Sequence, residues 1–296
     1  MTSSMNGMAE RFRELLNGPR VIELPGCYDV LSAILLEQAG FSTVFVSGYG
    51  VAASLLGNPD IGLTSLTETA QLAKNVAIAT RVPVVVDADN GYGNEENVIR
   101  TVHELEYAGA AAMTLEDQVF PKRCGHAANK MIVPLDDYLR KLECALRVRE
   151  TPLSIIARTD AVNVDEAILR AKAFHAAGAD VILADGLRSL DDMKRIGQEV
   201  PGHKQINLIY GGKTPILTSP ELHRLGFKIV LYSTPALYVA VHAVSTQMRT
   251  LRETHDLKSI SPKSTTFMDF QRLIETRYAE RRHALQHGGA LAAAVV

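Results

Sequence analysis

The sequence predicts a (β/α)8 barrel of the TIM type, followed by an extra C-terminal helix. At 296 residues, the chain has a length that α/β barrels often reach as one domain. Eight short apolar runs, many of them β-branched, alternate with amphipathic stretches along the chain. Continuous apolar runs of this kind are typical of parallel strands that are buried on both faces. Repeated strand–helix units of this number close into a barrel.

The predicted elements follow one another without long gaps. The strands cover residues 21–27, 43–47, 82–87, 111–116, 154–159, 181–185, 205–210 and 228–233. The helices between them cover residues 30–39, 65–80, 95–108, 135–148, 164–177 and 190–199. Three helices end in Ala-Gly, which places Gly40, Gly109 and Gly178 where left-handed C-caps are expected. A doubly wound sheet is the alternative fold, but residues 25–29 lack the glycine-rich phosphate loop that it would need.

The end of the chain is expected to extend beyond the barrel. A predicted helix at 235–254 follows the last strand, and a polar linker leads to a further helix at 267–285. That last helix carries an apolar stripe at helical spacing, formed by Phe267, Phe270, Leu273, Ile274 and Tyr278. Because the barrel is already complete, the stripe must pack on its own barrel or on a neighbouring subunit. We therefore divide the chain into a catalytic barrel (1–255), a linker and helical arm (256–287) and a tail (288–296).

Composition and charge argue against several classes of function. The formal net charge is −2, which gives no footprint for nucleic acid or for an anionic membrane surface. No stretch approaches eighteen uninterrupted apolar residues, so we expect no membrane segment. The 3 cysteines, Cys27, Cys124 and Cys144, are widely spaced and include no pair of the kind that binds zinc. We expect a cytoplasmic protein in a reducing compartment.

Residues 121–126 read P-K-R-C-G-H and carry the most informative local chemistry. They include three potential cations, a thiol and a glycine: Lys122, Arg123, His126, Cys124 and Gly125. Neighbouring cations favour a thiolate and make Cys124 a candidate proton-transfer group. Gly125 would let the loop bend tightly over a bound molecule. For the hexapeptide alone, a solvated basic loop with an incidental thiol is an equally good interpretation.

An acidic cluster follows the third and fourth predicted strands, at the end of the barrel where such enzymes place their reactive groups. Asp87 and Asp89 are two residues apart, and Glu116 ends the adjacent strand. Like charges are costly together unless a hard cation lies among them, and Mg²⁺ accepts one or two carboxylates plus waters. The cluster therefore predicts a Mg²⁺ site, with Mn²⁺ as the alternative ion. Capping of the next helix is the alternative role for Asp89.

Other strand ends offer groups that bind anions. After the second strand, Ser47, Gly48 and Tyr49 supply a hydroxyl and consecutive amides suited to a carboxylate, although a glycine-rich turn explains them equally well. Asp60 follows in an Asn-Pro-Asp turn, where it either serves the turn or orients a hydroxyl or a metal-bound water. Asn207 lies in the seventh strand.

Arg158 ends an apolar run and needs an anionic partner. A substrate carboxylate would serve, and so would a structural pair with Asp160 or Asp185. The residues alone leave these alternatives open.

Together these strand ends resemble the isocitrate lyase / phosphoenolpyruvate mutase superfamily. Seven ordered stretches carry the resemblance: V-S-G-Y-G (46–50), N-P-D-I-G (58–62), D-A-D-N-G-Y-G (87–93), L-E-D-Q (115–118), P-K-R-C-G-H (121–126), A-R-T-D-A (157–161) and N-L-I-Y-G-G-K-T-P (207–215). The K-R-C-G-H form is similar to the lyase branch, which includes methylisocitrate lyase, dimethylmalate lyase and the petal death protein. Carboxyphosphonoenolpyruvate mutase carries the same loop.

The resemblance implies a role for each matching residue. Asp87 would bind Mg²⁺, and the carboxylates of Asp89 and Glu116 would hold the water molecules bound to the ion. Residues 47–49 and Arg158 would bind the carboxylate and carbonyl oxygens of a 2-keto acid, and Asn207 the other carboxylate. Cys124 would act from a mobile gating loop as general acid, with Lys122 and His126 lending positive charge.

The implied activity is a Mg²⁺-dependent carbon–carbon lyase. It would cleave a 2-hydroxy di- or tricarboxylate of the 2-methylisocitrate or 2-alkylmalate type to pyruvate, or another 2-keto acid, plus a carboxylate. The resemblance also implies a homotetramer in which the last helix is swapped between neighbours. Phosphonomutase and oxaloacetate decarboxylase activities are the alternatives, and a barrel that has lost catalysis is a third.

Two positions depart from the lyase pattern. Asp185 stands where lyases usually have glutamate, and Tyr210 replaces a second glutamate after the seventh strand. At both positions the chain resembles the oxaloacetate decarboxylases of the superfamily, which lack the cysteine loop. We assign both residues to the substrate pocket, where they are expected to decide the substrate.

Overall fold

Eight parallel strands form a closed barrel in chain order in the computed structural model, which describes residues 2–127 and 130–286. The strands are β1 (Ile22–Cys27), β2 (Val44–Val46), β3 (Val84–Asp87), β4 (Ala112–Glu116), β5 (Ser154–Thr159), β6 (Val181–Ala184), β7 (His203–Leu208) and β8 (Ile229–Tyr232). β8 pairs with β1 and closes the barrel. The predicted (β/α)8 barrel is therefore confirmed. The predicted tail, 288–296, lies outside the described residues.

Helices connect successive strands, with one further α-helix before β1 and two after β8. They are α1 (Thr2–Asn17), α2 (Val30–Gln38), α3 (Gly48–Val51), α4 (Leu66–Ala79), α5 (Glu95–Ala108), α6 (Leu135–Val148), α7 (Val164–Ala176), α8 (Leu190–Glu199), α9 (Ser219–Arg224), α10 (Pro235–Thr254) and α11 (Phe267–Gln286). Each predicted strand is present within two residues of its predicted ends. The backbone φ angles of Gly40, Gly109 and Gly178 are 94°, 85° and 99°, which confirms the predicted left-handed caps.

The interior of the barrel forms a buried cluster of its own. Leu24, Phe45 and Ile156 belong to it, as inward-facing residues of their strands. The helix α1 adds Ala9 and Phe12 to the same cluster. The sequence analysis missed this helix because its first half is polar and its buried stripe is short. A second, larger cluster packs the outer faces of the strands against the surrounding helices.

The structure divides into two compact units between Pro235 and Ala236. This boundary precedes most of α10, whereas the sequence-based division falls after that helix, at residue 255. The reason is burial, since none of the residues of α10, all of which the structure describes, is buried. In the second unit, α11 exposes Phe267, Phe270 and Tyr278. Across the described part of the chain, we find no helix with the length and apolar character that a membrane span requires.

Candidate active site

A small cavity of about 30 Å³ lies at the carboxyl ends of the strands. Its lining includes most of the predicted site residues, namely Ser47, Tyr49, Asp60, Asp87, Cys124, Gly125, Arg158, Asp185 and Asn207. It also includes residues that the sequence analysis did not single out: Phe45, Thr114, Leu183, Ile209, Leu231 and Ser233. Most of these precede or follow a predicted site residue by two positions. The alternation of side chains along a strand is the signal that would have found them.

The acidic cluster is buried around the end of β3. Asp87, Asp89 and Glu116 are 7%, 4% and 2% exposed. The backbone N–H groups of Gly48 and Asp89 donate to the two carboxylate oxygens of Asp87, each over 3.3 Å. A Cβ atom at Gly48 would lie 2.9 Å from Asp87 Oδ2, so the close approach of this backbone requires glycine. In this structure the Gly48 amide donates to Asp87, so its predicted use for a substrate carboxylate would require that hydrogen bond to be exchanged.

Asp89 does not cap the following helix. The side chain of Asn94 caps α5 and forms a capping box with Asn97. Asp89 itself has a φ angle of 48°, in the left-handed region that costs energy for a residue with a side chain. The helix-capping alternative is therefore excluded, and the unusual backbone holds this carboxylate within the acidic cluster.

The electrostatics of the cluster suit a cation. Burial raises the pKa of Asp89 to about 6, with Lys122 opposing the rise and Asp87 adding to it. Burial likewise raises the pKa of Glu116 well above its usual range. Glu116 Oε1 is buried, and no residue in the described part of the chain forms a hydrogen bond with it. Hard carboxylate oxygens, one of them unsatisfied, are the donors that Mg²⁺ prefers.

The cluster does not form a complete metal cage from side chains alone. Among the residues that the structure describes, no three His, Cys, Asp or Glu side chains are already arranged to hold one ion. Mg²⁺ usually takes one or two carboxylates and completes its shell with water and substrate. The donor set therefore fits Mg²⁺, and Asp87, Asp89 and Glu116 are the residues that would hold it.

The P-K-R-C-G-H loop closes over the cavity and is held there by Asp60. Lys122 Nζ lies 2.5 Å from Asp60 Oδ1 and 2.7 Å from Asp89 Oδ1. The backbone N–H of Cys124 donates to the Asp60 carbonyl oxygen over 3.2 Å. Asp60 therefore does more than complete a turn. Its carboxylate binds the ammonium group of Lys122, and its carbonyl oxygen fixes the backbone of Cys124.

Cys124 is a half-buried thiol, and the predicted thiolate is wrong. Burial raises the pKa of Cys124, and the carboxylates of Asp185 and Asp60 raise it further, against a backbone hydrogen bond that lowers it. The neighbouring cations do not compensate, because Lys122 is bound by two carboxylates. These surroundings therefore favour the protonated thiol of Cys124, which suits a general acid.

Arg158 contacts three carboxylates at once. Its guanidinium nitrogens lie 3.3 Å from Glu116 Oε2, 2.9 Å from Asp160 Oδ2 and 2.8 Å from Asp185 Oδ2. Both structural partners considered from the sequence are therefore present, together with a third. A residue that the sequence analysis missed, Lys130, places its Nζ 2.7 Å from Asp160 Oδ1. No motif marks this lysine, because only the fold brings it to Asp160.

Asp185 is separated from Glu116 of the acidic cluster by Arg158, whose Nη2 contacts both carboxylates. Asn207 Nδ2 donates to Asp185 Oδ1 over 3.0 Å, and His126 Nε2 lies 3.6 Å from the same oxygen. Burial would raise the pKa of Asp185, but Arg158 and His126 outweigh burial and hold it below its usual range. A Cβ atom on Gly125 would overlap Asp185 and Arg158, so the closed loop leaves room only for glycine.

Tyr210 does not reach the cavity. Its side chain is 86% exposed, whereas the preceding residue, Ile209, lines the cavity. The reason is register, since β7 ends at Leu208, two residues before the predicted end, and the chain turns outwards beyond it. The assignment of Tyr210 to the substrate pocket is therefore wrong, while Asp185 lies where it was predicted.

Buried carboxylates that suit a hard cation, facing a buried guanidinium across a small cavity, define an enzyme that acts on small anionic molecules. The family model described as phosphoenolpyruvate phosphomutase matches residues 12–252, which is most of the chain. The chain belongs to the phosphoenolpyruvate mutase / isocitrate lyase superfamily, whose related enzymes are named as lyases and mutases. The predicted superfamily and enzyme class are confirmed.

The relatives agree in length as well as in sequence. A 2,3-dimethylmalate lyase from Eubacterium barkeri is 39% identical over 270 residues, covering 90% of this chain and 93% of the relative. A 2-methylisocitrate lyase from Aeropyrum pernix is 38% identical over 275 residues, covering 92% and 89%.

Solved structures share the whole fold. Oxaloacetate acetylhydrolase, in complex with the inhibitor 3,3-difluorooxalacetate, has a TM-score of 0.88 and 31% identity, covering 96% of this chain and 97% of that one. Phosphonopyruvate hydrolase, in complex with oxalate and Mg²⁺, has a TM-score of 0.83 and 26% identity, covering 95% and 99%.

Proposed function

We propose that this protein is a Mg²⁺-dependent carbon–carbon lyase. Its substrate is a 2-hydroxy di- or tricarboxylate of the 2-methylisocitrate or 2-alkylmalate type, and its products are pyruvate, or another 2-keto acid, and a carboxylate. The observation that carries the proposal is the position of the Cys124 thiol, which lines the same cavity as Asp87 of the acidic cluster and Arg158. The relatives named as dimethylmalate and methylisocitrate lyases support it.

Asp87, Asp89 and Glu116 are the residues that would hold the metal ion. When bound, Mg²⁺ supplies Lewis-acid stabilisation of negative charge on substrate oxygens. Mn²⁺ is the alternative ion, because it accepts the same hard oxygen donors. The Mg²⁺ in the related phosphonopyruvate hydrolase supports this choice.

Each side chain of the cavity has a separate role in the proposed reaction. Arg158 binds the carboxylate next to the reacting carbon, with Ser47 and Tyr49 beside it, and Asn207 binds the second carboxylate. Asp60 accepts the hydroxyl proton as the bond between C2 and C3 breaks. The C2 oxygen becomes the carbonyl of the keto acid, and the bonding electrons leave on C3 as an enediolate.

The loop completes the reaction. The Cys124 thiol donates its proton to C3, and Lys122 and His126 stabilise the negative charge that develops nearby. The thiolate that remains regains a proton once the products leave. Because the closed loop covers the cavity, water does not compete for the carbanion.

A product assay tests the proposal. The enzyme is incubated with Mg²⁺ and, separately, with 2-methylisocitrate, 2,3-dimethylmalate and oxaloacetate, and pyruvate is detected by reduction with NADH and lactate dehydrogenase. Pyruvate together with succinate or propionate, from either of the first two substrates, is the expected result. The absence of pyruvate from both would refute the lyase.

Oxaloacetate chemistry is the second candidate. It is favoured by Asp185, which is shorter than the glutamate of the lyase pattern and is held charged by Arg158. The structural similarity to oxaloacetate acetylhydrolase supports it as well. In the same assay, pyruvate from oxaloacetate alone would indicate a decarboxylase, and oxalate with acetate would indicate a hydrolase.

We also propose a cytoplasmic homotetramer in which α11 is exchanged between neighbouring subunits. The exposed apolar stripe of α11 supports this, with Phe267 74% and Tyr278 62% exposed. The free thiols of Cys27, Cys124 and Cys144 suit a reducing compartment. Light scattering should give about four times the chain mass of 32.2 kDa. A monomer in solution would refute the tetramer.

A further inference from the structure

The three carboxylates around Arg158 raise a question of charge. One guanidinium faces Glu116, Asp160 and Asp185, all within 3.3 Å of its nitrogen atoms. All three carboxylates are almost fully buried, at 1–3% exposure. A buried cation that is shared by three anions has little charge left to attract a fourth. Arg158 can bind a substrate carboxylate well only if other groups neutralise these neighbours.

Two of the three carboxylates, Asp185 and Asp160, have a second polar partner in the structure, whereas Glu116 would gain one from a metal ion. Glu116 belongs to the acidic cluster that suits a metal ion, and Asp185 accepts a hydrogen bond from Asn207 beside His126. Asp160 has Lys130, whose Nζ lies 2.7 Å from Oδ1. The same oxygen accepts from Arg158 over 3.1 Å. The side chains of this pair are 3% and 0% exposed, so water screens the interaction little.

We propose that Lys130 is a positioning residue for substrate binding, because it neutralises Asp160 and so leaves the charge of Arg158 available to the substrate carboxylate. The inference rests on the proposed function, in which Arg158 binds that carboxylate. Lys130 touches Asp160 and acts on the substrate only through Arg158.

Lys213 offers a matched control. Its Nζ donates to the carbonyl oxygen of Ala127 over 2.6 Å, close in sequence to Lys130. Lys213 therefore anchors the same region of the chain but forms no ion pair with Asp160 among the contacts described for residues 2–127 and 130–286. A purely structural role for Lys130 predicts that Lys130→Met and Lys213→Met behave alike.

The test is oxalate binding, measured by calorimetry on the full-length protein in the presence of Mg²⁺. Oxalate presents the adjacent oxygens of a 2-keto acid and does not react. Lys130→Met should weaken oxalate binding by about tenfold to a hundredfold, and Lys130→Arg should restore most of the affinity. With a cleaved substrate, KM should rise more than kcat falls.

A double variant separates neutralisation of Asp160 from mechanical support. In Lys130→Met/Asp160→Asn the carboxylate that needed neutralising is gone, so oxalate should bind more tightly than to Lys130→Met alone. Should Lys130→Met fail to fold, the comparison of Asp160→Asn with the double variant carries the test. Their affinities should agree within about threefold, because Lys130 has no carboxylate left to neutralise there.

The outcomes separate the two proposals. Unchanged oxalate affinity in Lys130→Met overturns the role of Lys130, and so does a double variant as weak as the single one. Oxalate binding without cleavage of any lyase substrate overturns the proposed function but not the proposed role of Lys130. A wild-type protein that does not bind oxalate with Mg²⁺ overturns both.

Discussion

The carboxylates on two sides of one cavity have pKa values that are shifted in opposite directions. On the side of β3 and β4, burial raises the pKa of Asp89 to about 6 and that of Glu116 well above its usual range. On the opposite side, Asp185 is equally buried, yet Arg158 and His126 hold its pKa low. Burial is common to both sides, and Arg158 faces Glu116 as well as Asp185, so the difference lies in the balance of all the charges around each carboxylate.

The difference indicates which side awaits a ligand and which is already complete. The first side gathers three buried carboxylates near Lys122 and shares Arg158 with the second side, and a metal ion would balance the remaining negative charge. The second side has a charged carboxylate fixed by a guanidinium and an amide, which is a rigid boundary for the substrate. We therefore expect variants of the first side and of the loop to affect the reaction, and variants of the second to affect the choice of substrate.

The largest effect is expected at the loop thiol, which lies between the two sides. Cys124→Ser should lower kcat by about 10²- to 10⁴-fold, because the hydroxyl is a far weaker acid than the thiol. Steady-state kinetics with 2-methylisocitrate measures this. Cys144→Ser, on α6 and outside the cavity lining, is the matched control and should leave kcat unchanged. Full activity in Cys124→Ser would show that another group supplies the proton.

The next largest effect is expected at Gly125, where the loop contacts Asp185 and Arg158. Gly125→Ala places a methyl group where Asp185 and Arg158 already lie, so the loop cannot close fully. Because small displacements of catalytic groups are costly, kcat/KM should fall by about a hundredfold. Gly7→Ala, in α1 with nothing within 4 Å of the added atom, is the control. Equal activity of both variants would argue against closure in the reacting enzyme.

A smaller effect is expected from lengthening the side chain of Asp185. Asp185→Glu introduces the residue usual in the lyase pattern and moves the carboxylate towards the substrate. The ratio of kcat/KM for 2-methylisocitrate to that for oxaloacetate should rise by about tenfold. Measuring both substrates on the same preparation gives this ratio. An unchanged ratio would mean that Asp185 does not select the substrate.

The smallest effect is expected at Tyr210, which sequence reasoning placed in the pocket. Its side chain is 86% exposed, so Tyr210→Phe should change kcat and KM by less than about twofold. Kinetics on the preferred substrate measure this. A tenfold change in either constant would show that the residue approaches the substrate during the reaction.

Much of the fold could be predicted from the sequence because buried parallel strands are continuous apolar runs. The strand ends likewise marked Asp87, Glu116 and Arg158, since polar residues there are unusual enough to notice. Lys130 could not be predicted, because it is distant from Asp160 in the sequence and contacts it only in the folded chain. The error at Cys124 has a similar cause, because the sequence shows that cations are near but not that carboxylates already bind them.

The most direct test of the comparison measures metal binding on both sides of the cavity. Free Mn²⁺, followed by electron paramagnetic resonance, is titrated into the wild type, Asp87→Asn and Asp185→Asn. The wild type should bind Mn²⁺, Asp87→Asn should bind it at least about tenfold more weakly, and Asp185→Asn should match the wild type within about twofold. Equal losses in the two variants, or normal binding by Asp87→Asn, would contradict the assignment of the metal to the acidic cluster.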